Sequence, residues 1–208
     1  MSVAKSIVKS CITCFKHKPH HQNPLMADLP EKRVTISHPF QNCGVDYAGP
    51  FLIKDRKGRG AQLSKAYICL FICFTTKAIH LELVSSLSSS SFLLALRRFS
   101  ARRGKPTHIY SDNGTNFVGA QHELHVLHDF FTQNKNKWLN ICAAENINWH
   151  FIPPYSPHFG GIWEAGVKST KHHLLRVLGE ARLTYEEFNS VLIQIEATLN
   201  SRPLYPLS

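Results

Sequence analysis

Ile109–Phe117 reads IYSDNGTNF, and the role of Asp112 in it governs how the rest of the chain is read. Asp-Asn-Gly after a short apolar run suits a tight turn, because Asn and Gly tolerate φ > 0 and an Asx side chain can bond its own backbone. On that reading Asp112 is a turn residue. The same residue also ends the strand-like run THIYS, and open sheets gather ligands and active sites at strand ends.

The neighbouring segments say what kind of sheet this strand joins. Upstream, FQNCGVDYAGPFLI (Phe40–Ile53) is an extended run closed by the charged turn KDRKGRG, followed by KAYICLFICFTT and, after a short Thr-Lys connection, KAIHLELV. Their β-branched and aromatic bias predicts three consecutive antiparallel strands. SSSSFLLALRRFSARRG (Ser88–Gly104) then carries Ser N-cap candidates, apolar residues at Phe92, Leu93, Leu96 and Phe99, late Arg and a closing Gly, which predicts a helix. Downstream of IYSDNGTNF, Val118–Asn146 has a helical pattern with a break near Asn134, and INWHFIP reads as a fifth strand. Past the Pro/Gly-rich PPYSPHFGG, helical patterns cover Ile162–Leu178 and Thr184–Leu199. The expectation is an α/β fold: a mixed five-stranded sheet flanked on both faces by helices.

The 208 residues suffice for one sizeable domain with an appendage. Lys and Arg number 24 against 14 Asp and Glu, a formal charge of +10 that suits a polyanionic partner. The longest apolar run, Ala66–Phe74, is far short of the ~20 residues of a membrane span, and no hydrophobic leader follows Met1. The chain therefore reads as soluble and intracellular. Of six cysteines, Cys69 and Cys73 sit inside that apolar run, which argues for reduced thiols. Met1–Pro39 is polar, basic and Pro-dotted with little periodicity, and reads as a small appendage or linker.

With so few acidic residues, each position can be weighed. Asp46 lies mid-strand among apolar and aromatic neighbours, where a lone carboxylate is costly unless paired or metal-bound; the alternative is a half-exposed strand with Asp facing water. Glu164 falls in the first turn of a helix, where the dipole favours it anyway and Lys168 makes an i,i+4 partner. Each is ambiguous alone. Together, two strand-borne Asp and one helix-borne Glu in a basic domain are what two-metal phosphoryl transfer requires: hard oxygen ligands on rigid supports. At 100° per residue, Lys168 and Lys171 fall within about 40° of Glu164, so both can face the metals and a phosphate; a solvated face is the plainer reading. Arg97, Arg98, Arg102 and Arg103 also suit phosphate, but a helix C-terminus attracts Arg for dipole reasons, and they stay outside the candidate site.

HPFQNCGVDYAGPF, IYSDNGTNFVGA, PPYSPHFGGIWEAGVKSTKHHL and LNSRPL together resemble the integrase catalytic core of retroviruses and LTR retrotransposons, and among these the Pao/BEL group. The resemblance covers residues 38–203. It implies an RNase H-like fold, a D,D,E triad on Asp46, Asp112 and Glu164 holding two Mg²⁺ or Mn²⁺ ions, and DNA contacts from Lys168 and Lys171. It also implies 3′-end processing and strand transfer, with element ends and target DNA as partners, a homo-oligomer of at least two chains, no membrane, and the nucleus as the place of work. Fifty-one residues separate Asp112 from Glu164, longer than the retroviral interval, with the excess in HELHVLHDFFTQNKNKW.

The family's N-terminal zinc module places two His before two Cys. Here Cys11 and Cys14 match its second half with no His ahead of them, although His17, His20 and His21 follow. Zinc needs four ligands in a structural site, so an orphaned half-site is the reading and Zn²⁺ is not expected. The chain divides into an appendage at 1–37, the core, and a tail at 204–208, as in a fragment or truncated gene copy. Two rivals stay open: an RNase H-type nuclease, and a catalytically silent DNA-binding or assembly module.

Overall fold

Leu63–Cys73 is buried on both of its faces from Ile68 onward, so it can only lie inside a sheet covered on both sides. The structure, a computed structural model, describes residues 3–12, 28–112, 146–152 and 160–202. The chain divides into two compact units, Met1–Pro30 and Glu31–Ser208. The first contains helix α1 (Val3–Ser10), where the sequence shows little periodicity; its apolar Val3 and Ile7 are both exposed.

The second unit runs α2 (Glu31–Val34), β1 (Asn42–Lys54), β2 (Leu63–Cys73), β3 (Ile79–Val84), α3 (Ser89–Arg103), β4 (His108–Ser111), β5 (Asn148–Phe151), α4 (Gly161–Leu178) and α5 (Tyr185–Ser201). The sheet order is β3-β2-β1-β4-β5. β1, β2 and β3 are antiparallel, while β4 joins β1 and β5 joins β4 in parallel. This is the mixed five-stranded sheet expected from the pattern. The helical pattern that begins at Val118 lies outside the described residues up to its last position, Asn146. Among the described residues no helix is long and apolar enough to cross a membrane, and Cys69 and Cys73 are buried and unbridged.

Local signals set the helix ends as read. The Ser88 hydroxyl accepts the Ser91 N–H at 3.2 Å at the start of α3, and Gly104, at φ 91, closes it by donating to Ser100 O. Thr184 and Glu187 cap α5 reciprocally as a capping box.

Each sheet face has its own core. On one, Cys43, Val45, Tyr47 and Phe71 pack under Phe92, Ala95, Leu96 and Phe99 of α3, with Phe71 and Phe99 stacked at 4.2 Å. On the other, Ile68, Leu70 and Ile72 meet Trp163 and Leu174 of α4 and Phe188, Leu192 and Ile195 of α5. Each such fully buried side chain contributes about 1.5–3 kcal/mol of transfer free energy.

β3 is an edge strand, and its outward backbone groups would be an open template for another chain. Side chains of α5 occupy them instead. Asn200 accepts the Ile79 N–H at 2.8 Å and donates to Ile79 O at 2.7 Å. Glu196 accepts the Leu81 N–H at 2.7 Å, and the Tyr185 hydroxyl donates to Leu83 O at 3.0 Å.

A charged cluster lies beside this clamp. His80 sits between Glu82 at 2.9 Å and Glu196 at 3.3 Å, Arg98 and Arg102 reach Glu82 at 2.5 and 3.5 Å, and Arg103 pairs with Glu196. Three of the four arginines at the end of α3 are therefore held by internal carboxylates. Neither the helix dipole nor phosphate accounts for them.

Candidate active site

Asp46 and Asp112 have 65 residues between them, and the parallel pairing of β1 with β4 removes that separation. The last registered pair is Val45 with Ser111, so the next position on each strand is Asp46 and Asp112. Side chains alternate across a strand, and the neighbours identify the face. Val45 and Ile109 point into the core under α3, whereas Ala48 and Tyr110 belong to the core under α4 and α5. Asp46 and Asp112 share the latter parity.

The helix on that face carries Glu164 in its first turn. Its approach depends on a glycine. A Cβ on Gly44 would overlap Trp163 Cε3 and lie 3.3 Å from Ile72 Cγ2, so the fully buried Trp163 ring seats α4 on β1 only because residue 44 has no side chain. Gly166 continues the close approach: a Cβ there would meet Leu70 Cδ1 at 3.3 Å. Gly44 and Trp163 position the carboxylate of Glu164, and neither was singled out in the sequence. A Gly inside a strand, two residues before a candidate ligand, is the signal that could have found the first.

The electrostatics tie the three acids together. Burial pushes the half-buried Asp46 carboxyl up, to about 7 from an ordinary 3.8. The Tyr47 N–H, donated at 2.7 Å, opposes this, the charges of Asp112 and Glu164 add to it, and Lys171 draws it back. Glu164, exposed on its helix, is also raised, by partial desolvation and then by Asp112. The charge of Lys171 thus bears on Asp46, as its helical position leads one to expect. Lys168 is exposed on the same helix and is not among the charges that bear on either acid.

This donor set fits a hard divalent cation: three carboxylates from three elements, and one member, Asp46, whose affinity for a proton is raised first by burial and then by its acidic neighbours. Among the described residues no three His, Cys, Asp or Glu side chains stand at metal-ligand spacing; the trio frames the position without closing on it. Of the zinc-module candidates, Cys11 is half-buried, while Cys14, His17, His20 and His21 lie outside the described residues.

Comparison with known proteins follows the same lines. The integrase core domain family matches residues 37–157. The uncharacterized protein K02A2.6 of Caenorhabditis elegans is 23% identical over 163 residues, covering 78% of this chain and 11% of the worm protein. A chain of the simian T-cell lymphotropic virus intasome, solved with the PP2A regulatory subunit B56 gamma, superposes with a TM-score of 0.58 at 19% identity, over 99% of this chain and 62% of the viral one. The HTLV-2 integrase catalytic core domain, in its dimeric magnesium complex, gives 0.51 at 16% identity over 79% and 89% of the two chains. The sheet is thus the RNase H-like one of integrase catalytic cores. With more than half of its length matched, the chain belongs to the integrase core domain family.

Proposed function

We propose that this chain is the catalytic core of a retroelement integrase of the Pao/BEL group, a polynucleotidyl transferase that trims the 3′ ends of element DNA and joins them to target DNA. One observation carries the reading: carboxylates from the middle of β1, the end of β4 and the first turn of α4 share one face of the sheet, and those of Asp46 and Glu164 are raised, first by burial and then by their acidic neighbours. Mg²⁺ or Mn²⁺ ions, two in number, held by Asp46, Asp112 and Glu164, would supply Lewis-acid activation of the attacking water or 3′-hydroxyl and neutralise charge at the leaving oxygen.

The chain's own residues prepare that chemistry. Adjacent strands fix the two Asp relative to each other. Trp163, seated on Gly44, fixes the height of Glu164 above them, and Lys168 and Lys171 hold phosphate beside the carboxylates. The core spans 38–203, with 1–37 an appendage and 204–208 a tail. Its partners are element and target DNA and further copies of itself, and its place of work is the nucleus. The dimeric magnesium complex of the HTLV-2 core supports both the divalent ion and the self-association.

The test is a strand-transfer assay with Mg²⁺ or Mn²⁺ and matched element-end DNA. Wild type should join DNA, and Asp112→Asn or Glu164→Gln should abolish joining while leaving DNA affinity nearly unchanged. Joining that survives either substitution refutes the triad. DNA binding with no joining by wild type in either metal assigns the chain to the silent-module alternative.

A further inference from the structure

The face of α4 turned away from Glu164 has no role in the reading above. At 100° per residue, Gly161, Ile162, Ala165, Gly166 and Ser169 form a broad stripe centred roughly 130° round the helix from Glu164, with Gly161 at its near edge, about 60° away. That stripe floors a cavity of about 440 Å³, walled by Ile72 of β2, Arg33 of α2, Lys77 of the β2–β3 turn and Arg202 just past α5.

Three features give the cavity a chemistry. Among the described residues its charged lining is all cationic, from three separate places in the chain, with no Asp or Glu. Among the described residues, Arg33, Lys77 and Arg202 enter no ion pair, whereas Arg98, Arg102 and Arg103 at the β3 edge are all taken. The floor is made largely of small residues, and a Cβ added at Gly161 would meet nothing within 4 Å, so a bulky ligand can come close to the helix.

Lys77 supplies a further, independent observation. It sits at φ 59, in the left-handed region that Gly or Asn fills at lower cost. The turn is locked there by the Lys77 N–H donating to Cys73 O at 3.0 Å and the Cys73 N–H to Ala78 O at 2.8 Å. A long cation stands where backbone geometry alone favours glycine, and it faces the cavity.

We propose that this groove is a second DNA phosphate site, in which Arg33, Lys77 and Arg202 hold the phosphodiester backbone on the side of α4 opposite the carboxylates. The assignment rests on the DNA reading above and deepens it: α4 carries phosphate contacts on two faces, one beside the carboxylates and one behind them. Unpaired guanidinium and ammonium groups around a floor free of carboxylates suit phosphodiester oxygens, and the chain's formal charge of +10 brings the polyanion to it.

The experiment measures binding of the full chain to a fluorescent DNA duplex as a function of salt. Each cation that neutralises a phosphate contributes about 0.9 to the slope of log K against log[salt], so Arg33→Ala, Lys77→Ala and Arg202→Ala together should flatten it by about 2 to 3. A control triple at exposed positions elsewhere, Arg59→Ala, Lys65→Ala and Arg182→Ala, removes the same charge and should flatten it by less than about 1. Equal flattening by the two triples overturns the site. Lys77→Gly separates binding from folding: it should weaken DNA binding with the melting temperature unchanged or raised, and unchanged binding also overturns the site. The two readings fail separately. DNA joining with an unmoved groove slope removes the groove and leaves the triad, while a groove-dependent slope without joining does the reverse.

Discussion

Asp46, near the centre of the sheet, and Glu82, two strands away at its edge, are carboxylates drawn out of bulk water, but their company differs. Burial alone would raise the Glu82 carboxyl. Its hydrogen bonds from His80 and Arg98 outweigh this and hold it below the ordinary value, and Glu196 is likewise held down by His80, the Leu81 N–H and Arg103. Burial raises Asp46 to about 7, with Asp112 and Glu164 adding to the rise, and among the described residues only Lys171 and the Tyr47 N–H oppose it. The edge group is neutralised by the chain itself and fastens β3, α3 and α5 together. Among the described residues the central group has no such internal neutralisation, which suits the cation site proposed for it.

The sharpest break of this comparison is Asp46→Asn. It should lower joining by at least about 10³-fold, on the order of 4 kcal/mol of transition-state stabilisation, and yet raise the melting temperature in the absence of divalent cations. The sign follows from the raised carboxyl: the folded state prefers the protonated form, so ionising it on going from pH 4 through 7 works against folding, and Asn removes that opposition. Millimolar Mg²⁺ should then stabilise wild type and not the variant. A melting temperature lowered by Asp46→Asn without cations would show that the central carboxylate is balanced after all.

At the edge the expected effect is opposite in kind. Glu196→Ala strands the Leu81 N–H, leaves Arg103 without its carboxylate and leaves His80 with Glu82 alone, which should cost about 3 kcal/mol in chemical denaturation. Per-molecule joining by the fraction that remains folded should stay close to wild type. Gly44→Ala joins the two regimes, since the new methyl meets Trp163; about 2 kcal/mol of overpacking should accompany a loss of joining as α4 and Glu164 lift from β1. Wild-type stability with normal joining would mean that Trp163 does not set the height of Glu164.

The smallest effect is the pH response of the edge cluster, read on the Asp46→Asn background to remove the central contribution. Glu82 and Glu196 lie below the ordinary carboxylate value, so their contribution is present above about pH 4.5 and is lost as pH falls through their folded values. His80 lies above its ordinary 6.5: burial opposes its charge, but Glu196 and Glu82 outweigh that, with Arg103 Nε also facing the ring at 3.4 Å. Its contribution is complete below about pH 6.5 and is lost as pH rises through the folded value. Denaturation midpoints should peak between these limits, and His80→Phe should flatten the alkaline side.

The sheet was legible because its signals are local. β1–β3 are apolar runs rich in β-branched and aromatic residues, α3 has a Ser start and a Gly stop, and Asp112 follows a strand. The edge cluster was not legible, because its partners come from different elements: His80 and Leu81 meet Glu196, more than a hundred positions on, which in a helix reads as one more solvated acid. The arginines of α3 were ambiguous for the same reason, since their partners come from β3 and α5. In α1 Val3 and Ile7 are exposed.

The clamp on β3 also has a consequence in time. Four helical residues rise about 6 Å and two strand residues about 6.8 Å, which is why Glu196 and Asn200 can reach Leu81 and Ile79 together. Yet α5 follows β3 by about a hundred residues, at the far end of the unit. At roughly 5–20 residues per second of synthesis, β3 leaves the ribosome some ten seconds or so before the helix that covers it, with its outward N–H and C=O groups bare. The finished fold protects its edge, but the growing chain carries that edge uncovered through much of its own translation.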